Sequence, residues 1–308
     1  MVSSPPPKLF DRARVARNRD RASSDYRQYA FLKGRESNQL LERLRDSPRK
    51  FEHALDLFAH DGQASEALIQ SGLVAQVTAM DPSARMVQAL RDNGMNARVY
   101  EDDNLPFEPG TFDLAVSVLS LHWVNDLPGL LAQIKSALKP DGLFLACLFG
   151  GGTLTELRTA LIEAELEITG GISPRLSPLP GVQDMAGLLQ GSGFALPVAD
   201  RDRVTVRYAH PMQLLGDLKG MGEQAAFAKR PDQARQPLSR RILARMTDIY
   251  SERFSDPDGR VRASFEIIWL SGWAPAANQP KPLRPGSAKF SLADAVKHSK
   301  AMGKPEKS

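Results

Sequence analysis

Residues 53–81 read HALDLFAHDGQASEALIQSGLVAQVTAMD, and this stretch decides the fold. A short apolar run over 53–58 is followed by a helical stretch that Gly72 closes. A second apolar run over 76–81 then ends on Asp81. Two nearly continuous apolar strands joined by a helix are typical of a parallel βαβ unit, in which both faces of the sheet are covered.

The same alternation continues along the chain. It predicts strands over 97–102, 112–119 and 143–149, helices over about 83–93 and 127–138, and a turn over 139–142. Alternating strands and helices of this kind favour an α/β fold. We therefore predict a doubly wound, mostly parallel seven-stranded sheet, Rossmann-like, in which ligands bind beyond the carboxyl ends of the strands.

Flanking regions complete the predicted organisation. One highly charged helical stretch, from about Asp11 to Arg45, suggests a basic helical arm over 1–45. The predicted domain covers 46–275 and carries helical insertions at about 154–195 and 211–255. Further strands are expected over 201–208 and 265–273, with helices at 182–190, 211–221 and 237–253. Residues 276–308 form a basic tail containing Pro and Gly, for which a flexible segment is expected.

Charge is concentrated at the two ends of a chain whose net charge is +4. Residues 1–35 hold nine Lys or Arg against three Asp, and residues 276–308 hold seven against two acids. The body between them is therefore acidic, so nucleic acid is not the expected partner. Basic ends suit an acidic protein or proximity to a membrane surface, and solvated ends are the alternative.

Composition also bounds the class of protein. The chain has 308 residues and a single cysteine, Cys147, which excludes an internal disulfide and a cysteine-based zinc cluster. No apolar run reaches the roughly 18–20 residues of a membrane span, and no secretory leader is recognisable. We expect a soluble intracellular protein.

Acids end two of the predicted strands, where a nucleotide-like cofactor would lie. Asp81 ends the second strand and suits the hydroxyls of a ribose. Glu101 and Asp102 end the third strand, near the position of a base. A helix cap is the alternative role for Asp81, because Pro82 follows it. Asp56, inside the first strand, suits an acceptor that orders the following loop.

These residues resemble class I S-adenosylmethionine-dependent methyltransferases. The resemblance rests on Leu55-Asp56-Leu57, Asp81, Leu105-Pro106-Phe107, Phe112-Asp113-Leu114 and Leu138-Lys139-Pro140-Asp141-Gly142. A narrower pattern lies over it, comprising Leu119-Ser120-Leu121-His122-Trp123, Phe149-Gly150-Gly151, Ser173-Pro174 and Gly220-Met221-Gly222-Glu223. This pattern is similar to the mitochondrial complex I assembly factor that forms the protein arginine hydroxylase family, and to its bacterial relatives.

The resemblance implies S-adenosyl-L-methionine as cofactor and a protein substrate, a peripheral-arm subunit of complex I, whose arginine is hydroxylated. It implies the bacterial cytoplasm, or the mitochondrial matrix for a eukaryotic chain. The positions that match the family's cofactor site are Asp56, Phe58, Ala59, His60, Gly62, Asp81, Pro82, Glu101, Asp102 and Leu119.

The chain departs from that family in the loop after the first strand. A Gly-x-Gly-x-Gly run is usual there, whereas residues 58–62 read Phe-Ala-His-Asp-Gly, so only Gly62 remains. Glycine accepts a left-handed backbone and leaves room for the cofactor. A benzyl group at position 58 is expected to crowd the cofactor or to displace the loop. His60 suits a hydrogen bond to the cofactor carboxylate, with an exposed side chain as the alternative.

His122 and Trp123 follow the fourth strand, where substrate meets cofactor in this fold. His122 suits a general base and Trp123 a wall of the pocket, and an aromatic pair closing the sheet edge is the alternative. The five histidines are scattered and predict no metal site. Two other functions stay open: a non-catalytic assembly module with a degenerate cofactor loop, and a carrier-protein or small-molecule O-methyltransferase of the biotin-synthesis type.

Overall fold

A computed structural model describes residues 8–47, 49–101, 104–228 and 238–279. The helices are α1 (Arg12–Ala22), α2 (Tyr26–Tyr29), α3 (Phe31–Arg45), α4 (Gln63–Gln70), α5 (Ala84–Asp92), α6 (Leu127–Ala137), α7 (Thr155–Thr169), α8 (Val182–Gly191), α9 (Pro211–Gly220) and α10 (Arg240–Phe254). The strands are β1 (Phe51–Leu57), β2 (Val74–Asp81), β3 (Asn96–Val99), β4 (Phe112–Val118), β5 (Leu138–Phe149), β6 (Ala195–Tyr208) and β7 (Val261–Trp273).

The strands form one sheet in the order β3-β2-β1-β4-β5-β7-β6. Strands β1 to β5 pair in parallel, and β7 lies antiparallel to both β5 and β6. Because the order reverses between β1 and β4, the topological switch point lies between these strands. The predicted doubly wound, mostly parallel sheet is confirmed.

Apolar side chains from helices cover both faces of this sheet. One cluster joins α3, α4, α7 and α10 to the sheet through residues that include Leu40, Leu68, Ala160 and Met246. The other joins α6 and α8 through residues that include Leu131 and Leu189. Burial of such side chains on both faces is the main term that stabilises the layers.

The N-terminal region differs from the single helix expected between Asp11 and Arg45. Three helices occupy it, and the first break falls at Ser23-Ser24-Asp25. Ser and Asp side chains compete with the backbone for hydrogen bonds and disfavour helix interiors. The third helix, α3, buries Leu32, Leu40 and Leu44 against the sheet.

Two other predictions need correction. The turn expected over 139–142 is a bulge inside β5, where Asp141 has φ 63° and the register with β4 shifts. Leu138 and Leu143 pair with β4 on either side of the bulge, and Asp141 N donates to Ala274 O just beyond β7. Strands β6 and β7 are longer than predicted, because they pair with each other along almost their whole length.

Residues 1–275 form one compact unit and 276–308 a second. Within the second unit the described residues 276–279 form a turn, in which Gln279 N donates to Ala276 O at 3.3 Å. The rest of the predicted basic tail lies outside the described residues. No helix in the described part of the chain is both long and apolar enough to cross a membrane.

Candidate functional site

Two loops meet at the switch point between β1 and β4. Residues 58–62 follow β1, and residues 119–123 follow β4 and include a short 3-10 turn, Leu121–Trp123. Phe58 and Leu119, the first residues after these strands, both have left-handed backbones with φ of 64° and 52°. Both loops therefore turn sharply where the strands end.

The loop after β1 keeps a left-handed backbone without the glycines usual in the family. Phe58, His60 and Gly62 have φ of 64°, 55° and 83°. Ala59 N donates to Met80 O at 2.9 Å, so the loop stays beside β2. The chain thus forms this left-handed turn with a benzyl group at position 58.

The Phe58 ring lies inside the cleft and is 5% exposed. Its centroid is 5.0 Å from that of Tyr100, in an edge-to-face arrangement. The Arg19 guanidinium lies 5.7 Å from the centroid of the same ring. Phe58 is thus packed between the end of β3 and helix α1.

Asp81 lies at the end of β2, as predicted, and its side chain is fully buried. Its Oδ2 accepts from Arg19 Nη1 at 2.7 Å and from the His60 backbone N at 3.0 Å. Its Oδ1 accepts from Ser83 N at 2.8 Å, next to Pro82. Ser83, rather than Asp81, caps α5, because its Oγ accepts from Met86 N. The carboxylate that would hold ribose hydroxyls is therefore bound by the chain's own arginine.

His60 is buried, contrary to the exposed alternative. Its ring stacks on Tyr26, with centroids 5.0 Å apart, and its Nδ1 lies 2.8 Å from Lys33 Nζ. Burial, with the charges of Arg19 and Lys33, lowers the pKa of His60 well below its ordinary value. Its Nδ1 also lies 2.9 Å from the carbonyl O of Phe58, so Lys33 Nζ, His60 Nδ1 and Phe58 O form one buried cluster.

Asp56 is also fully buried and faces helix α4. Its Oδ2 accepts from Ser65 Oγ at 2.6 Å. Burial raises the pKa of Asp56, and the charge of Lys33 opposes that rise. Asp56 therefore ties β1 to α4 on the far side of the loop.

The base-binding side of the cleft is only partly described. Glu101 is exposed, and Asp102 lies outside the described residues. Tyr100 is buried instead, and the Arg12 guanidinium lies 5.6 Å from its ring centroid.

His122 and Trp123 converge on one carboxylate. Glu223 Oε2 lies 3.0 Å from His122 Nε2 and accepts from Trp123 Nε1 at 2.8 Å. A carboxylate can only accept, so His122 Nε2 carries a hydrogen. Its Nδ1 is buried and has no hydrogen-bond partner among the described residues. Burial alone would raise the pKa of Glu223, but His122 lowers it overall.

Sequence reasoning missed the roles of Arg19 and Lys33 and the position of Tyr26. Tyr26 covers His60, whereas Tyr29 packs beside Gly220. A signal for the two cations was present in the helical spacing. Arg19 shares the buried face of α1 with Val15 and Ala22, and Lys33 shares that of α3 with Leu40 and Leu44.

These residues fit the adenosine half of the expected cofactor. The turn at 58–62 has the left-handed conformation that glycines normally provide, and Asp81 stands beside it at the end of β2. The fit requires one exchange: ribose hydroxyls would replace Arg19 on the carboxylate. In the described ranges no group of three or more His, Cys, Asp or Glu side chains could hold a metal ion.

Comparisons with known proteins agree with this geometry. A protein-family profile described as a methyltransferase domain matches residues 55–146. The mitochondrial arginine hydroxylase NDUFAF5 of Danio rerio is 37% identical over 296 residues, which cover 95% of this chain and 91% of that protein.

A second relative carries a different activity in its name. The malonyl-[acyl-carrier protein] O-methyltransferase of Halorhodospira halophila is 33% identical over 272 residues, covering 86% of this chain and 88% of that protein. Among solved structures, YcgJ of Bacillus subtilis has a TM-score of 0.53 at 14% identity, covering 79% of this chain and 99% of that one. This last similarity supports the fold alone.

Proposed function

The chain belongs to the NDUFAF5 arginine-hydroxylase family, which has a class I methyltransferase fold, and on this premise we propose that it modifies a protein substrate during assembly of respiratory complex I. The modification we propose is hydroxylation of an arginine on a peripheral-arm subunit. It inserts one oxygen atom into a C–H bond, a two-electron oxidation, and needs an added oxygen-atom donor such as a peroxide, which is reduced to water in the same step.

S-adenosyl-L-methionine is the cofactor of this fold family and of this chain. Asp81 and the turn at 58–62 would hold it, through the carboxylate and the loop backbone. When bound, the cofactor supplies a methyl group activated on sulfur. Phe58, His60 and Tyr26, which are buried around the loop, would enclose it.

The observation that carries the proposal is the convergence of His122, Trp123 and Glu223 at the carboxyl edge of β4. Glu223 holds both neighbours through one oxygen and is 12% exposed at its side chain. His122 Nδ1 is left as the group that can exchange a proton with a substrate. We propose that His122 acts at the reacting group and that Trp123 forms the wall of the substrate pocket.

The same cluster has the chemistry to receive a guanidinium. A carboxylate and aromatic faces both attract a planar cation. Trp123 lies edge-to-face with Phe10 at 5.1 Å between centroids, and His122 lies 5.1 Å from the Phe149 ring. An arginine side chain of a partner protein is therefore the substrate that this edge suits best.

The activity is tested on the substrate itself. Peripheral-arm subunits are isolated from cells that lack this protein, incubated with the purified chain, cofactor and oxidant, and analysed by peptide mass spectrometry. Gain of one oxygen on an arginine supports the proposal, and the His122→Gln variant should abolish that gain. A methyl group on an acyl-carrier-protein substrate instead supports the O-methyltransferase alternative.

One observation favours the alternative of a non-catalytic assembly module. The Arg19 guanidinium forms an ion pair with the Asp81 carboxylate, and both side chains are almost fully buried. Calorimetric titration with S-adenosylmethionine and S-adenosylhomocysteine distinguishes the two functions, with Phe58→Gly beside the native chain. Micromolar binding by the native chain supports the enzyme. Binding that appears only after Phe58→Gly supports the assembly module.

The remaining features of the proposal concern location and docking. The NDUFAF5 relative is mitochondrial by its name, and for a bacterial chain the cytoplasm is the corresponding compartment. The basic N-terminal and C-terminal segments would bring the protein to an acidic partner or to the membrane surface where complex I assembles. Reduced co-purification of the partner after truncation of 276–308 would test the role of the tail.

A further inference from the structure

The loop after β1 combines two conformations that L-residues rarely adopt. Phe58 has φ 64° and His60 has φ 55°, with only one residue between them. Such backbone persists only where surrounding contacts determine it. The contacts that determine this loop should therefore identify the residues on which the cofactor site depends.

Lys33, in the first turn of α3, makes those contacts. Its Nζ donates to Phe58 O at 3.0 Å and to Val118 O at 3.2 Å, and lies 2.8 Å from His60 Nδ1. An ammonium only donates, so the two carbonyls accept from it. Phe58 O and the His60 ring belong to the left-handed loop, and Val118 O is the last carbonyl of β4.

This position makes Lys33 a bridge across the switch point. Phe58 O and Val118 O lie at the ends of adjacent strands, and each precedes a sharp turn. Ser120 Oγ donates to Val118 O at 3.2 Å and so joins the same cluster from the second loop. One side chain from outside the sheet thus sets the relative positions of the two loops.

The surrounding charges allow a buried cation here. Lys33 is 2% exposed, and burial lowers its pKa while the charge of Asp56 opposes that change. Burial also lowers the pKa of His60, and the charges of Arg19 and Lys33 lower it further. The ammonium is therefore held by oriented acceptors as well as by the neighbouring carboxylate.

We propose that Lys33 is the positioning residue of the cofactor loop: it holds the left-handed turn at Phe58 and His60 that glycines would otherwise allow, and it links that turn to the loop carrying His122. The inference rests on the proposed function only in treating this loop as the cofactor loop. Its structural content stands whether or not the chain is a hydroxylase.

A double-mutant cycle tests the proposal. Lys33→Met and Phe58→Gly are made singly and together, since glycine at position 58 keeps the carbonyl but removes the demand on its conformation. Hydrogen exchange at the Ala59 and His60 amides reports on the loop. We expect Lys33→Met to speed this exchange about tenfold in the native loop and less than about threefold in the glycine loop.

Two matched controls separate this role from general stability. Leu196 has φ 49° in an exposed bulge of β6, so Leu196→Gly relieves a similar backbone far from Lys33. Lys135 Nζ donates to Ser192 O, so Lys135→Met removes a comparable lysine contact elsewhere. The effects of Lys33→Met and Leu196→Gly should be additive, and Lys135→Met should leave the loop amides unchanged.

Equal effects of Lys33→Met in the native and glycine loops would overturn the proposal. If Lys33→Met fails to fold, Lys33→Gln enters the same cycle, because its amide still donates to two carbonyls. Titration with S-adenosylmethionine is the separate arm. The effects of Lys33→Met and Phe58→Gly on loop exchange could be coupled while no variant binds S-adenosylmethionine. That result would support the positioning role of Lys33 and contradict the proposed cofactor.

Discussion

Arg19 Nη1 lies 2.7 Å from Asp81 Oδ2, and the two side chains are 2% and 0% exposed. This ion pair joins α1 to the end of β2, at the carboxylate that a ribose would use. A buried pair of this kind strongly destabilises a protein when one partner is removed, because the other charge is left uncompensated. The N-terminal helix is therefore part of the proposed cofactor cleft and not an appendage.

Replacement of Arg19 should favour the cofactor. In Arg19→Gln the ribose hydroxyls no longer compete with a guanidinium, so we expect S-adenosylmethionine to bind about tenfold more tightly in calorimetry. The free energy of unfolding without cofactor should fall by about 3–5 kcal/mol. Arg17→Gln, at an exposed position of the same helix, is the control. Weaker binding by Arg19→Gln would show that Arg19 contacts the cofactor instead of competing with it.

Glu223 should determine the hydrogen position on His122. Glu223→Leu leaves two buried donors without an acceptor, at about 1–3 kcal/mol each. In ¹⁵N spectra of histidine-labelled protein, we expect native His122 to carry its hydrogen on Nε2 and the variant to lose that preference. Exposed Glu108→Leu is the control. An unchanged tautomer in Glu223→Leu would mean that another contact orients the ring.

Stability should depend on pH through His60. Its folded pKa lies well below the ordinary 6.5, so between these values the unfolded chain binds more protons than the folded one. The free energy of unfolding should therefore fall as the pH drops below 6.5, by up to about 1.4 kcal/mol per unit. Urea denaturation at several pH values measures this slope. A slope that persists in His60→Gln would assign it to another group.

Gly62, the glycine of the loop after β1, should not tolerate a side chain without loss of stability. A methyl group at this position would lie 2.5 Å from Leu90 Cδ2 and 3.2 Å from Met95 Sδ, and φ is 83°. We expect Gly62→Ala to lower the free energy of unfolding by about 2–4 kcal/mol. Gly72→Ala is matched to it, with φ 69° and open space around it, and should lower it by about 1–2 kcal/mol. Equal losses would mean that the Leu90 contact relaxes.

Local pattern was sufficient for the sheet and for part of the site. The apolar runs over 53–58 and 76–81 predicted where β1 and β2 lie. Because the carboxyl ends of parallel strands share one edge, the same pattern predicted that Asp81 lies beside the loop after β1. The same reasoning placed His122 and Trp123 after β4. It could not supply Glu223 as their common acceptor, since that residue follows α9 and is 100 residues from Trp123 along the chain.

The sequence by itself therefore determined the doubly wound sheet and the edge at which ligands bind, because strand and helix periodicity depend on neighbouring residues. Helical spacing puts Arg19 and Lys33 on apolar helix faces, but only the tertiary structure brings these two of the nine N-terminal cations to that edge. Arg19 is 62 residues from Asp81, and Lys33 is 85 residues from Val118. A buried cation is stable only where distant strands and loops place its acceptors around it, and local periodicity carries no information about that placement.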